Sequence, residues 1–170
     1  MGRYQEGKIV SIVLDSVDLQ ILKDLQADGR MTNVQLAENV GISAPPCLRR
    51  VRALEEAGVI ESYHATLNAK ALGFQVVIFA HVGLSSQSDA DLRAFEEKVN
   101  TWPLVRECHM IAGESDFLLK IVARSWDEYQ QFHSTQLTTL SIVTSVKSQL
   151  IIRTAKQLPG VPVDLVHLEA

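Results

Sequence analysis

Much that would point to a chemical function is scarce in this chain of 170 residues. It holds only two cysteines, Cys47 and Cys108, and they form no C-x-x-C pair. That excludes a disulfide framework and the common zinc patterns, and both thiols are expected to be ordinary buried side chains. The five histidines are scattered. Cys108 and His109 are neighbours, so on a strand they point to opposite faces and cannot share a metal. No metal and no cofactor are expected. The longest apolar runs, such as residues 76–80, fall far short of the roughly 20 residues that span a bilayer. The first 14 residues carry charges and a short apolar stretch broken by Ser11, with no small-residue cleavage site, which argues against a signal peptide and for the cytoplasm. Surplus positive charge is missing too. Lysine and arginine number 16 against 20 acidic residues, a net charge of −4. Nucleic-acid binding by bulk electrostatics is thereby excluded, and only a small, well-placed basic surface remains possible. No nucleophile stands with a base and no glycine loop suits a phosphate, so no enzyme is expected and no catalytic residue is nominated.

What is present begins with capped helices. Asp15 reads as an N-cap with Asp18 three positions on, and Val17, Ile21, Leu22 and Leu25 recur at helical spacing up to Gly29, an expected residue just past the helix end. Thr32 and Gln35 form a capping box for a second helix, with Leu36, Ala37 and Val40 as its stripe and Gly41 as its left-handed stop. Ser43 is another strong N-cap, and Pro45 and Pro46 fall in the first turn, where their missing amide hydrogens cost little. Cys47, Val51 and Leu54 share one face of this third helix. Pro45, Arg49, Arg52 and Glu56 occupy the opposite face, with Arg50 on a flank. Helix, short glycine turn and a basic-faced helix suit a helix-turn-helix, whose second helix enters the major groove of double-stranded DNA. Thr32, Asn33, Ser43, Pro45, Arg49, Arg50 and Arg52 are the candidate DNA contacts. Spacing alone leaves an αα-hairpin with solvated arginines equally open. Gly58 ends the third helix, and residues 60–68 alternate in polarity, as expected of a wing or linker strand.

The remainder reads as strand, helix, strand, strand, helix, strand. Residues 69–74 are a short hinge containing Gly73. Residues 76–82 form an apolar β-rich run. Ser88 and Asp91 cap a helix bearing Leu92, Phe95 and Val99, and Pro103 closes it. Residues 105–112 and 117–123 read as strands joined by a turn at 113–116. Ser125 and Glu128 form a capping box before Tyr129, Phe132 and Leu137, and residues 142–152 read as the last strand. This order is that of a ferredoxin-like domain, with two helices on one face of an antiparallel sheet. The expected fold class is therefore α+β: a winged helix-turn-helix domain followed by a ferredoxin-like βαββαβ domain. Expected boundaries are an extension at 1–13, the DNA-binding domain at 14–68, the hinge at 69–74, the second domain at 75–157 and a tail at 158–170. Ile78, Ile121 and Ile151 suggest that both sheet faces are apolar, so the uncovered face is expected to associate.

The Leu14-Asp15 lead, the Asp28-Gly29-Arg30 turn, Leu36-Ala37, Gly41-Ile42-Ser43, Cys47-Leu48-x-Arg50-Val51 and Gly58-Val59-Ile60-x-x-Tyr63 stand in one order. That stretch closely resembles the N-terminal domain of the Lrp/AsnC transcription regulators. Glu107-Cys108-His109 followed by Gly113-Glu114-x-Asp116-Phe117-Leu118-Leu119-Lys120 resembles the same family's amino-acid-sensing domain. The resemblance implies homodimers formed through the sheets, assembly to octamers, and a small effector, an amino acid, bound between dimers. By the same resemblance the loop Gly113, Glu114, Ser115 and Asp116 lines the effector cleft, together with two positions of the last strand. The family often has hydroxyls at both of these. Here they are Val146 and Ser148, so one hydroxyl is missing. These loop residues also suit an ordinary hairpin turn. A ligand-independent architectural DNA-binding protein is the alternative function.

Overall fold

Short polar side chains decide where the helices begin. The computed structural model describes residues 13–166, which divide into two compact units. The first comprises residues up to 66 together with those from 156 onward, and the second comprises residues 67–155.

In the first unit, helix α1 (Ser16–Ala27) opens on a reciprocal capping box. The Asp15 carboxylate accepts the Asp18 N–H at 2.9 Å, and the Asp18 carboxylate accepts the Asp15 N–H at 3.1 Å. Helix α2 (Asn33–Val40) opens likewise, with Thr32 accepting from the Gln35 N–H and Gln35 from the Thr32 N–H. Gly41 ends it at φ 71°, the left-handed region that favours glycine. Helix α3 (Ala44–Glu56) follows, with Pro45 and Pro46 in its first turn. Ile21, Leu36, Ala37, Cys47 and Leu54 are buried between the three helices, ringed by Leu14, Val17, Leu25, Val51 and Ile60. Burying each large aliphatic side chain contributes about 1.5–3 kcal/mol, so this small core holds the helix-turn-helix together.

Gly29 lies just past the end of α1, as expected, but another residue makes the turn, and two further features depart from the sequence expectation. Helix α1 stops at Ala27, and Asp28 is extended. The Asp28 carboxylate accepts the Arg30 N–H at 2.9 Å, so the turn is closed by aspartate, and Gly29 has no positive φ. Residues 61–68 are exposed and belong to no strand. Their alternation is real, but a strand needs a neighbour for its N–H and C=O groups, and none pairs with it among the described residues. The tail does not stand apart. It returns to α1, where its short 3-10 turn, Val163–Leu165, packs. The extension at residues 1–12 lies outside the described residues.

In the second unit, the expected order holds. Strand β1 (Val76–Leu84), helix α4 (Asp89–Val99), strands β2 (Val105–Met110) and β3 (Phe117–Ala123), helix α5 (Trp126–Phe132) and strand β4 (Val143–Leu150) form a ferredoxin-like sandwich. The sheet order is β2-β3-β1-β4 and every pairing is antiparallel. Ile78, Ala80, Val82, Phe117, Leu119 and Ile121 form the core with Phe95, Val99, Trp102, Tyr129, Phe132 and Leu137 from the helical side. Trp102 meets Phe132 edge-on at 5.2 Å and 85°, a favoured aromatic geometry.

Local details again differ from expectation. Ile78 and Ile121 are cross-strand partners, so they share the covered face and say nothing about the other one. The opposite face presents Val77, Phe79, Leu118 and Val122, half-buried, beside the Glu107–Lys120 ion pair at 2.6 Å. No helix of this unit packs there. Ser125 caps α5 by accepting the Glu128 N–H, but the Glu128 carboxylate turns to the Arg124 N–H at 2.6 Å and to its guanidinium, so the box is half formed. A single π turn, His133–Leu137, then carries Leu137 into the core.

Candidate DNA interface and effector loop

Helix α3 turns one face outward because its apolar stripe is consumed by the core. Pro45, Arg49, Arg52 and Glu56 are exposed, as expected, and with Leu48 and Ala53 they line a shallow surface concavity. Ser43 stands exposed at the head of this face, and its hydroxyl makes no capping bond. Sequence reasoning omitted Leu48 and Ala53, of which Leu48 is the more exposed. It is 39% exposed, and its position three residues after Pro45 could have placed it.

The other nominated DNA contacts are engaged within the protein. Arg50 does not project outward. Its Nη1 lies 2.8 Å from both Asp15 and Asp18, so it ties α3 to the capping box of α1. The hydrogen bond to Asp18, then that to Asp15, raises the Arg50 pKa. The Asp18 N–H chiefly, with Arg50 in support, holds the Asp15 carboxyl below its usual range. Asn33 donates its amide to the Ala44 carbonyl at 2.7 Å, clasping the turn between α2 and α3. Its Oδ1 is buried without a partner. Thr32 remains exposed at the start of α2, with its hydroxyl bonded to Gln35 at 2.8 Å.

The turn at 113–116 is held from below. Gly113 has φ 146°, and both it and Glu114 are exposed. Glu114 meets Lys147 of β4 at 3.2 Å, and Ser115 is buried. The Asp116 carboxylate is engaged within the chain. Its Oδ2 accepts the Leu84 N–H at 2.7 Å and its Oδ1 accepts the Gln87 side-chain amide at 2.7 Å. The Asp116 N–H donates to the Val82 carbonyl at 3.0 Å. The aspartate thus closes the end of β1, where the register with β4 slips between Gly83 and Leu84. A Cβ at Gly83 would lie 2.6 Å from Ser145 Oγ, so the strands approach closely here and a larger residue would make Ser145 shift.

Val146 pairs with Val82, near the turn, and packs on the covered core. Ser148 pairs with Ala80, deeper in the sheet, where its hydroxyl bonds the Tyr129 phenol. The two strand positions therefore share the helix-covered side of β4, while Lys147 between them reaches Glu114 from the other. Gln87 and Lys147 were not foreseen. Neither belongs to a recognisable motif, and only the folded sheet brings them to the loop. Both cysteines are free thiols. Burial pushes Cys108 up to about 11 and raises Cys47, so neither is poised as a nucleophile.

Comparison with known proteins matches both units. Residues 14–61 match a winged helix-turn-helix DNA-binding family, and residues 77–161 match the Lrp/AsnC ligand binding domain. The chain is 56% identical over 148 residues to a leucine-responsive regulatory protein of Rhizobium meliloti, covering 87% of this chain and 95% of that one. It is 34% identical over 155 residues to the transcriptional regulator AzlB of Bacillus subtilis, covering 91% and 99%. Among solved structures, a transcriptional regulator of Neisseria meningitidis in complex with L-Met is similar at a TM-score of 0.85 and 31% identity, covering 89% of this chain and 97% of that chain. An AsnC family regulator of Agrobacterium tumefaciens is similar at a TM-score of 0.83 and 30% identity, covering 89% and 98%.

Proposed function

The chain belongs to the Lrp/AsnC family of transcription regulators, and from that premise we propose that it reads a pseudo-palindromic operator through α3 and answers to a free amino acid. The observation that carries the DNA half is the outward face of α3. Ser43, Pro45, Arg49 and Arg52 gather there on a helix whose other side is locked into the core. An arginine on such a face can pair with guanine edges in the major groove. Thr32, at the exposed start of α2, suits a backbone phosphate. Arg50 and Asn33 set the angle between helices and leave base reading to the others.

The effector reading rests on the 113–116 loop and on the neighbouring regulator that carries L-Met. Backbone groups around Gly113 would take the α-carboxylate, because glycine allows close approach. The exposed Glu114 suits the ammonium, while Asp116 holds the loop in shape. Val146, where the family often has a hydroxyl, favours a less polar side chain. Homodimers would form through the face bearing Val77, Phe79, Leu118 and Val122 and assemble further to octamers. No helix among the described residues is long and apolar enough to cross a membrane, and a regulator of this kind works in the cytoplasm with the DNA.

Titrating each of the twenty amino acids into the purified protein, by thermal shift and then by operator binding, tests the effector. A true effector raises the melting temperature, since only a ligand of the folded state stabilises it. A flat response to all of them overturns the sensing role. Arg49→Ala is expected to weaken operator binding by about 1–3 kcal/mol if it reads a base. Unchanged affinity removes Arg49 from the interface.

A further inference from the structure

The C-terminal segment belongs to the DNA-binding unit, although the second unit lies between them in the chain. Three separate features seat it on α1. Gln26 grips the Val161 backbone with both ends of its carboxamide: Nε2 donates to the carbonyl at 2.8 Å, and Oε1 accepts the N–H at 2.9 Å. This imitates the paired bonds of two strands and fixes the direction of the segment. Lys23, one turn earlier on the same helix face, donates to Asp164 at 2.5 Å. The ion pair with Asp164 raises the Lys23 pKa. Between these polar contacts Val163 is buried to 8% exposure, while Val161 and Leu165 on either side are 64% and 70% exposed. Gly160 makes the approach possible. It sits at φ +67°, and a Cβ there would collide with the Gln26 carboxamide.

Helix α1 carries a second connection. Asp15 and Asp18 at its N-terminus hold Arg50 of α3. The tail therefore seats on the helix that orients the recognition helix. We propose that residues 160–165 are a strap that anchors α1 and, through the Asp15 and Asp18 hold on Arg50, sets the pose of α3 for DNA. The chain then joins its two units twice, once ahead of β1 and once behind β4, and the second connection ends on the frame of the recognition helix. Gln26 and Lys23 are positioning residues in this scheme, with no contact to DNA.

The test uses the full chain in three forms: Gln26→Ala, Lys23→Asp, and Lys23→Asp combined with Asp164→Lys. Amide hydrogen exchange reads the protection of α1 and of the β1–β3 ladder, and a binding titration reads affinity for operator DNA. In Gln26→Ala and in Lys23→Asp, exchange in α1 is expected to rise about tenfold with the sheet unchanged, and operator affinity to fall about fivefold. The reversed pair is expected to recover most of both, which separates a lost contact from general damage. A chain ended after Gln157 should match Gln26→Ala or exceed it. If that chain does not fold, the point variants still decide the matter. Unchanged α1 protection in both point variants overturns the strap. Lowered α1 protection with wild-type DNA affinity overturns its influence on α3. The reading uses no effector, so failure of the amino-acid response leaves it standing and its own failure leaves that response standing.

Discussion

Two aspartates that look alike in sequence have different work, and both are turned inward. Asp18 is buried and shares Arg50 with Asp15. Removing the arginine strands carboxylates beside the core, so Arg50→Met is expected to destabilise the first unit by about 1–3 kcal/mol in urea unfolding, less than a fully buried pair because Arg50 keeps some solvent contact. The pH dependence has a definite sign. Asp15 is held below its usual range when folded, so its contribution is complete above the unfolded value of about 3.9 and disappears as pH falls through the lower folded value. Arg50→Met should therefore show a shallower loss of stability on acidification than the wild type, and an equal slope would contradict this. Asp116 serves its own backbone, and Asp116→Ala leaves the Leu84 N–H and the Gln87 amide without their partner. A fall of about 1–3 kcal/mol in stability is expected. Glu114→Ala removes an exposed side chain and should change stability by no more than about 0.5 kcal/mol. If Glu114 meets the ammonium, the same change should weaken effector binding about tenfold or more in calorimetry, a cost of about 1.5–3 kcal/mol.

At the scale of elements, what could be read from sequence was what local chemistry decides. Asp15, Thr32, Ser88 and Ser125 announced helix starts because a side-chain oxygen satisfies a backbone N–H only at that position. Gly41 and Gly58 announced ends because both need positive φ. Thr32→Ala is accordingly expected to cost about 1 kcal/mol and to speed exchange in the first turn of α2. What could not be read depended on a partner. The alternation at 60–68 predicts an extended chain but cannot supply the strand beside it. That both faces of the sheet are apolar was legible, but which isoleucine serves which face was not, and only register placed Ile78 opposite Ile121 on the covered side. The DNA set was partly legible. Helical phase placed Arg49 and Arg52 outward, yet the capture of Arg50 required knowing that α1 begins beside it. The intrachain bonds of the Asp116 carboxylate were illegible for the same reason, since Leu84 and Gln87 come from elsewhere in the chain. The docking of the tail on α1 was invisible, as Gln26 and Val161 carry no motif.

The whole molecule poses the question of what meets the second sheet face. Val77 and Phe79 of β1 and Leu118 and Val122 of β3 give it an apolar centre. A charge lies within it: Lys120, the cross-strand partner of Phe79, pairs with Glu107 of the edge strand at 2.6 Å, and Glu107 lies 3.4 Å from His109. Burial pushes the Glu107 carboxyl up, but the hydrogen bonds from Lys120 and His109 outweigh it and hold the group below its usual range. Apolar side chains beside a charge that already has its partner are compatible with a specific interface. A pairing through it would bury Leu118 of each copy, where a charge would lose its water. Leu118→Glu is therefore expected to split the dimer without unfolding the chain. Its neighbours Phe117 and Leu119 face the other way, into the core, so far-UV dichroism should be retained. Light scattering at micromolar concentration should then report monomer for the variant and at least dimer for the wild type. Operator binding should fall with it, because a dimer contacts two half-sites about one helical turn apart and a monomer only one. A wild-type monomer would remove the interface altogether. A Leu118→Glu dimer would move it to another surface, and retained tight binding by a monomeric variant would show that one recognition helix suffices.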